Sequence, residues 1–203
     1  RKWTNYADQK NFATGLAAAP WVLSLDADES VSPELRREIM ELKETAPDCA
    51  AFSIPRRAFY LGRWIRHSGW SPDRRVRLFR RDRARWEGDF VNESLLINGT
   101  VQKLHAPILH FPFADITEHA IRANKFSELA AQKLYAGGKK SRLFRLFVSP
   151  PARFLKTYFL KLGILDGFPG LVIALMNGYS AFLRQAKLRE IWTKGERIEP
   201  FPY

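Results

Sequence analysis

The sequence holds a single cysteine, Cys49, which excludes an internal disulfide framework and a cysteine metal cluster. With Ala50, Ala51 and Phe52 beside it, that thiol reads as an inert core side chain. Histidine is almost as scarce, at four residues in 203, so any imidazole chemistry has few candidates. Long apolar runs are missing too. The stretch Gly167–Leu183 carries no charge, but Pro169, Gly170, Asn177 and Gly178 interrupt it and it is at the short limit for crossing a bilayer. It reads as a helix that packs or dips into a membrane. Between Leu129 and Leu165 there is no aspartate or glutamate at all. Internal repeats and low-complexity segments are also absent. The chain opens at Arg1 in what reads as the run-up to a helix, so an upstream segment is expected.

What is present is a chain able to build a core, 46% hydrophobic and 13% aromatic. Its 33 lysines and arginines outnumber 21 acidic residues, for a formal charge of +12. That balance points to a polyanionic partner: nucleic acid, an anionic membrane surface or a phosphorylated substrate.

Hydrophobic spacing orders the first half as α/β. A helix is expected over Tyr6–Ala18, a strand over Trp21–Leu25, a helix over Pro33–Thr45 and a strand over Cys49–Ile54. From Arg56 to about His110 the pattern becomes short strands and turns. In Arg75–Arg80, Val76 and Leu78 alternate with Arg75 and Arg77. Asn98-Gly99 reads as a hairpin turn joining Ser94–Ile97 to Thr100–Leu104. After Pro112 the chain turns helical, from Asp115 to about Ala136 with a stop at Gly137-Gly138, and Pro150-Pro151 interrupts the basic, aromatic tail. The boundary is placed between residues 112 and 113.

The acidic tip Asp26-Ala27-Asp28-Glu29, at the end of the buried run Trp21–Leu25, is the leading candidate site. Two carboxylates at i and i+2 on an extended backbone can converge on a hard divalent cation, which also takes water or phosphate oxygens. Helix capping is the competing reading, although Ser32 before Pro33 serves the next helix better. An EF-hand is excluded because Val31 stands where the loop requires glycine.

Other candidates are weaker alone. Glu93, in the cluster Glu87, Asp89 and Glu93, can act as a general base near an acceptor hydroxyl or can be a solvated strand-edge charge. Arginines crowd the middle of the chain, from Arg56 to Arg85, and guanidinium forks suit phosphates. His110 at a strand end can approach the metal tip or be structural, and His105 lies nearby. In the tail Phe154, Leu155, Tyr158, Phe159 and Leu162 share one helical face, with Arg153, Lys156 and Lys161 opposite, a composition that suits an anionic membrane interface.

Asp8-Gln-Lys-Asn-Phe-Ala13, Trp21–Glu29, Arg77-Leu-Phe-Arg80 and Val91-Asn-Glu93 occur in the order seen in family 2 glycosyltransferases, and the chain resembles the bacterial lipopolysaccharide-core type. Phe154–Tyr158 through Gly163–Gly167 is similar to that subgroup's tail. The resemblance implies an α/β GT-A (Rossmann-like) glycosyltransferase core lacking its first strand-helix-strand unit, with residues 1–112 as the partial catalytic domain. Residues 113–203 would form a helical, basic, membrane-associating region. It implies Asp28 and Asp26 as ligands for Mg²⁺ or Mn²⁺; His110 stands as a further metal candidate by its place at the strand end alone. Gln9, Lys10, Asn11, Asp26 and Arg77 would line the donor site, and Glu93 would be the catalytic base; the subgroup more often carries His at the position of Asn92. The implied reaction is an inverting transfer of a sugar from a nucleotide-sugar, UDP-linked by expectation. The acceptor is a membrane glycolipid such as lipopolysaccharide core, and the place is the cytoplasmic face of the bacterial inner membrane, held peripherally on its anionic surface. Two other readings stand beside it: a non-catalytic membrane-associated scaffold and a basic nucleic-acid-binding module. The second leaves the acidic tip without a purpose, so nucleic acid is not an expected partner.

Overall fold

The computed structural model describes residues 5–45, 47–88 and 93–194. In chain order its elements are α1 (Tyr6–Leu16), β1 (Trp21–Leu23), β2 (Glu29–Val31), α2 (Pro33–Thr45), β3 (Ala51–Tyr60), β4 (Arg63–Trp64), β5 (Arg74–Arg80), β6 (Ala84–Glu87), β7 (Ser94–Ile97), β8 (Val101–Lys103), β9 (Ile108–His110), α3 (Ile116–Ala136), α4 (Leu143–Leu155) and α5 (Gly167–Lys194). A π turn at Lys156–Leu160 and a 3-10 turn at Gly163–Asp166 lie between α4 and α5. The protein is α/β, as expected, with its helices concentrated in the C-terminal half. Contacts divide the chain into two compact units, one built from residues up to Arg57 and from Pro72 to His110, the other from Ala58–Ser71 and from Phe111 onward. Residues 58–71, which the sequence grouped with the first part, therefore belong with the second.

In the first unit the strands run in the order β1-β5-β3-β9-β2, and β8 lies parallel to the start of β3. Neighbouring residues of a strand point to opposite faces, and here both faces are covered. Phe52, Ile54 and Leu78 pack with Leu35 of α2 and Ile108, while Ala51 and Phe79 pack with Ala7 of α1 and Trp86. Each helix starts where its cap predicts: the Asn5 side chain accepts the Asp8 N–H at 2.7 Å, and the Ser32 hydroxyl accepts the Leu35 N–H at 3.1 Å.

Two details differ from the sequence reading. Asn98-Gly99 is a turn, but not a hairpin between paired neighbours, because β7 pairs with β6 in a separate ribbon and β8 pairs with β3. Gly99 has φ +132, and a Cβ there would lie 2.8 Å from the Ala50 Cβ, so glycine is needed to pass the chain from one sheet to the other. The alternation in β5 is also broken. The register steps from Phe52↔Leu78 to Ser53↔Val76, which leaves Arg77 as the extra residue of a bulge. Arg77 is consequently buried beside Leu78 and Phe79.

In the second unit β4 pairs with the last residues of β3, and Tyr60, Ile65, Val172 and Ile173 form a core with Trp70 and Phe113 packed on it. α3 is capped by Asp115, whose side chain accepts the Glu118 N–H at 2.8 Å. α4 continues through Pro150 and Pro151 instead of stopping there. Gly178 of α5 allows the close approach, since a Cβ at that position would sit 3.1 Å from the Pro150 carbonyl oxygen. Among the described residues no single helix is long and apolar enough to cross a membrane. The bent pair Leu143–Leu160 and Gly163–Lys194, at 70°, passes that test together by length and composition only.

Candidate active site

A tight turn joins β1 to β2 in the first unit. The Glu29 N–H donates to the Asp26 carbonyl at 3.0 Å, and the Asp26 N–H donates to the Glu29 carboxylate at 3.0 Å. That second bond pulls the Glu29 side chain back beneath the turn, where it is fully buried. A buried carboxylate is costly unless it is paired, and two arginines meet it. Arg77, brought inward by the β5 bulge, lies 2.7 Å from Glu29, and Arg56 of β3 lies 3.1 Å from it. Arg77 also donates to the second oxygen of Asp26. Burial works against the charge on Arg77, but Asp26 and Glu29 outweigh it and hold the guanidinium above its ordinary value. Burial likewise raises Asp26, and Arg77 followed by Lys10 more than reverses this, leaving the carboxyl below its usual range.

Lys10 of α1 extends the network. Its ammonium donates to Asp26 at 3.2 Å and to Glu93 at 3.0 Å, and it sits over the Trp86 ring 4.5 Å from the centroid. The result is a chain of alternating charge, Arg56–Glu29–Arg77–Asp26–Lys10–Glu93. It borders a cleft of about 400 Å³ to which Arg74 and Arg75 also contribute. Five cationic side chains and two carboxylates line this cleft, an excess that favours a polyanionic ligand. The Nε of Arg77 has no hydrogen-bond partner among the described residues.

The candidates read from the sequence do not all meet at one point. Lys10, Asp26, Arg77 and Glu93 come together at the cleft. Asn11 instead clasps the backbone of Trp86, donating to its carbonyl at 2.8 Å and accepting its N–H at 2.9 Å; this fixes α1 against β6. Gln9 is exposed and does not line the cleft. Asp28 faces His110 of β9 at 3.5 Å, two strands brought into register by the Glu29↔His110 pair. Burial and then Arg56 push the His110 imidazole below its ordinary pKa, against the pull of Asp28 and Glu29. Asp89, Val91 and Asn92 lie outside the described residues.

Among the described residues no group of three or more His, Cys, Asp or Glu side chains converges as a ready-made metal site. Both oxygens of Asp26 are engaged by Lys10 and Arg77, so Asp28 and a neutral His110 are the side chains here that fit a divalent cation. Two protein ligands suffice for a magnesium-type site whose other positions belong to substrate phosphate and water. His105 lies apart from this cluster, next to Glu38 on α2.

Glu29, Arg56 and Trp86 were not singled out from the sequence. Glu29 adjoins the Asp-x-Asp, so its position was a signal, but its burial comes from a turn that sequence spacing does not encode. Arg56 was one of many arginines in its region.

No family model matches the chain. Among curated proteins it is 31% identical over 193 residues to the lipopolysaccharide core biosynthesis glycosyltransferase LpsC of Rhizobium meliloti, an alignment covering 92% of this chain and 70% of that protein. It is 28% identical over 209 residues to glycosyltransferase RT0209 of Rickettsia typhi, covering 98% and 72%. The same identity and coverage hold for glycosyltransferase RP128 of Rickettsia prowazekii. With these similarities spanning nearly its whole length, the chain belongs to the same glycosyltransferase family as LpsC.

Proposed function

We propose that the protein is an inverting, metal-assisted family 2 glycosyltransferase of the GT-A fold that moves a sugar from a UDP-linked donor to a membrane glycolipid such as lipopolysaccharide core. Its expected place of work is the cytoplasmic face of the bacterial inner membrane. The observation that carries the reading is the meeting of Asp26 and Glu93 on one ammonium, Lys10, inside a cleft rich in arginine. It puts a carboxylate able to take a proton next to groups able to hold a diphosphate.

Lys10, Arg74, Arg75 and Arg77 bind the donor diphosphate and offset the negative charge that grows as the sugar–phosphate bond breaks. Glu93, oriented by Lys10, accepts the proton of the acceptor hydroxyl. The acceptor oxygen attacks the anomeric carbon from the side opposite the diphosphate, and the diphosphate leaves with the electron pair of the broken bond. Asp28 and His110 would hold a Mg²⁺ or Mn²⁺ ion, whose contribution when bound is to neutralise diphosphate charge. Asp26 fixes the positions of Lys10 and Arg77.

The test is nucleoside diphosphate release from UDP-, GDP- and ADP-sugars with Mn²⁺ and a lipid-acceptor extract, using protein expressed from its complete reading frame. One donor is expected to turn over. Glu93→Gln should lower kcat by about 10² to 10⁴ while donor affinity stays within a few fold. Undiminished turnover in Glu93→Gln would remove Glu93 as the base, and no release from any donor would overturn the transferase reading of this cleft.

A further inference from the structure

The second unit contains a pocket that the transfer chemistry does not use. It measures about 410 Å³ and is lined by Arg63, Trp64, Arg66, His67, Leu165 and Asp166. Its floor is the Asp166 carboxylate, 1% exposed, which accepts the N–H groups of Arg66 at 3.0 Å and His67 at 3.1 Å and the Ser68 hydroxyl at 2.7 Å. These bonds occupy the carboxylate with the loop itself and fix residues 66–68 as one wall. Arg63 crosses beside Gly167, where its guanidinium lies 3.0 Å from the point a Cβ would occupy. Gly167 has φ +65, so this approach is built into the backbone.

The pocket is also held under strain. Leu61, Ser68 and Leu162 all adopt left-handed backbone conformations, which non-glycine residues rarely do. The Ser68 N–H donates to the Lys161 carbonyl at 2.9 Å, which stitches the two strained loops together. Among the described residues neither the Arg63 nor the Arg66 guanidinium has an acidic partner, and both side chains are exposed.

The second loop is a tip of exposed apolar side chains. Leu160, Leu162, Ile164, Leu165 and Phe168 are between 48% and 80% exposed. Five large apolar groups within nine residues are expensive to leave in water. Lys156 precedes them and Lys161 lies among them. From residue 129 to residue 168 the one acidic residue, Asp166, is 1% exposed and bonded to the neighbouring loop, so no carboxylate at the tip faces an anionic surface.

We propose that residues 160–168 insert into an anionic bilayer and that the adjoining pocket takes the phosphate of a phospholipid headgroup between Arg63 and Arg66. The inference rests on the membrane part of the proposed function and not on its transfer chemistry. Basic groups beside an apolar wedge are the arrangement that headgroup and acyl region together favour. Guanidinium forks match phosphate oxygens bidentately, while the His67 Nδ1 lies 3.3 Å from the Asp166 carboxylate and belongs to the wall.

The experiment is co-sedimentation of the full chain with vesicles of phosphatidylglycerol and phosphatidylethanolamine, against phosphatidylcholine alone. Wild type is expected to partition far more strongly onto the anionic vesicles, where lysines, arginines and the apolar tip act together. Arg63→Gln with Arg66→Gln should weaken partitioning about thirtyfold, whereas Arg36→Gln with Arg37→Gln, which removes the same charge from α2, should change it less than about threefold. Arg63→Lys with Arg66→Lys keeps the charge but not the fork and should bind between wild type and the Gln pair, which guards against a folding defect. Leu165→Asp should release the protein. Equal losses in the two Gln pairs, or binding that ignores lipid charge, would overturn the pocket. Absence of wild-type binding would overturn the membrane reading with it, while nucleoside diphosphate release, scored with Glu93→Gln, reports on the cleft separately.

Discussion

His119 stacks on Phe113 with ring centroids 4.1 Å apart and planes 9° from parallel, and its Nδ1 shares a 2.9 Å hydrogen bond with the Tyr60 hydroxyl. Burial pushes the imidazole down to about 4, and burial with some help from Asp115 pushes the Tyr60 phenol up to about 12. The folded imidazole therefore stays neutral where the unfolded one, near pH 6.5, already takes up a proton. Between those two values the unfolded state binds more protons, so stability must rise with pH from about 4 to about 6.5. Urea unfolding of wild type and His119→Phe across that range should show a wild-type slope, worth up to roughly 3 kcal/mol in total, that the variant lacks; parallel profiles would contradict the assignment. Asp26 was legible from its own chemistry at the end of a buried run, whereas Glu93 was favoured, and the donor-site Lys10 singled out, only through the family resemblance. Glu29 and Arg56 were legible by neither route, because what singles them out is a turn and a cross-strand meeting, and no local pattern carries either.

At the scale of elements, close packing of backbone decides what the second unit tolerates. A Cβ on Gly170 of α5 would lie 1.9 Å from the Gly163 carbonyl oxygen, and one on Gly163 would lie 2.8 Å from the Thr157 carbonyl oxygen. Both obstacles are main chain and cannot swing aside. Gly170→Ala is expected to destabilise the protein by roughly 3 kcal/mol, the upper range for overpacking. Gly15 in α1 has nothing within 4 Å of its Cβ position, so Gly15→Ala should stabilise by about 0.5–1 kcal/mol. Thermal melts of the two variants should move in opposite directions, and a shared direction would refute the packing argument. Helices were the readable elements: Pro33–Thr45 and the segment after Asp115 follow from caps and periodicity alone. The strands between Arg56 and His110 were readable as strands but not in their partners. Asn98-Gly99 has the local chemistry of a hairpin, yet pairing is settled by what Ala51 and Trp86 bury. The same holds for β5, whose regular alternation in sequence hides a bulge that turns one arginine inward.

For the whole molecule, a charge of +12 makes any polyanion attractive at low salt, so affinity alone discriminates poorly. Screening length falls from about 10 Å at 0.1 M salt to about 3 Å at 1 M. Binding to single-stranded DNA, which depends on counterion release, should vanish at 1 M. Binding to phosphatidylglycerol vesicles should weaken yet persist, because the apolar tip is insensitive to screening. Joint disappearance of both would mean that charge alone holds the protein to vesicles. The α/β class and the helical C-terminal half could be read from periodicity, whereas the membership of residues 58–71 could not, since their partners lie far along the chain. That interruption has a consequence for how the protein is made. Once His110 has emerged from the ribosome the first unit has all of its residues, but Tyr60, Ile65 and Trp70 must wait for Phe113 and then for Val172 and Ile173. Throughout that interval a greasy loop is exposed on a nascent chain, and synthesis halted before α5 leaves it uncovered for good. The C-terminal helices thus supply the later half of a core begun much earlier along the chain.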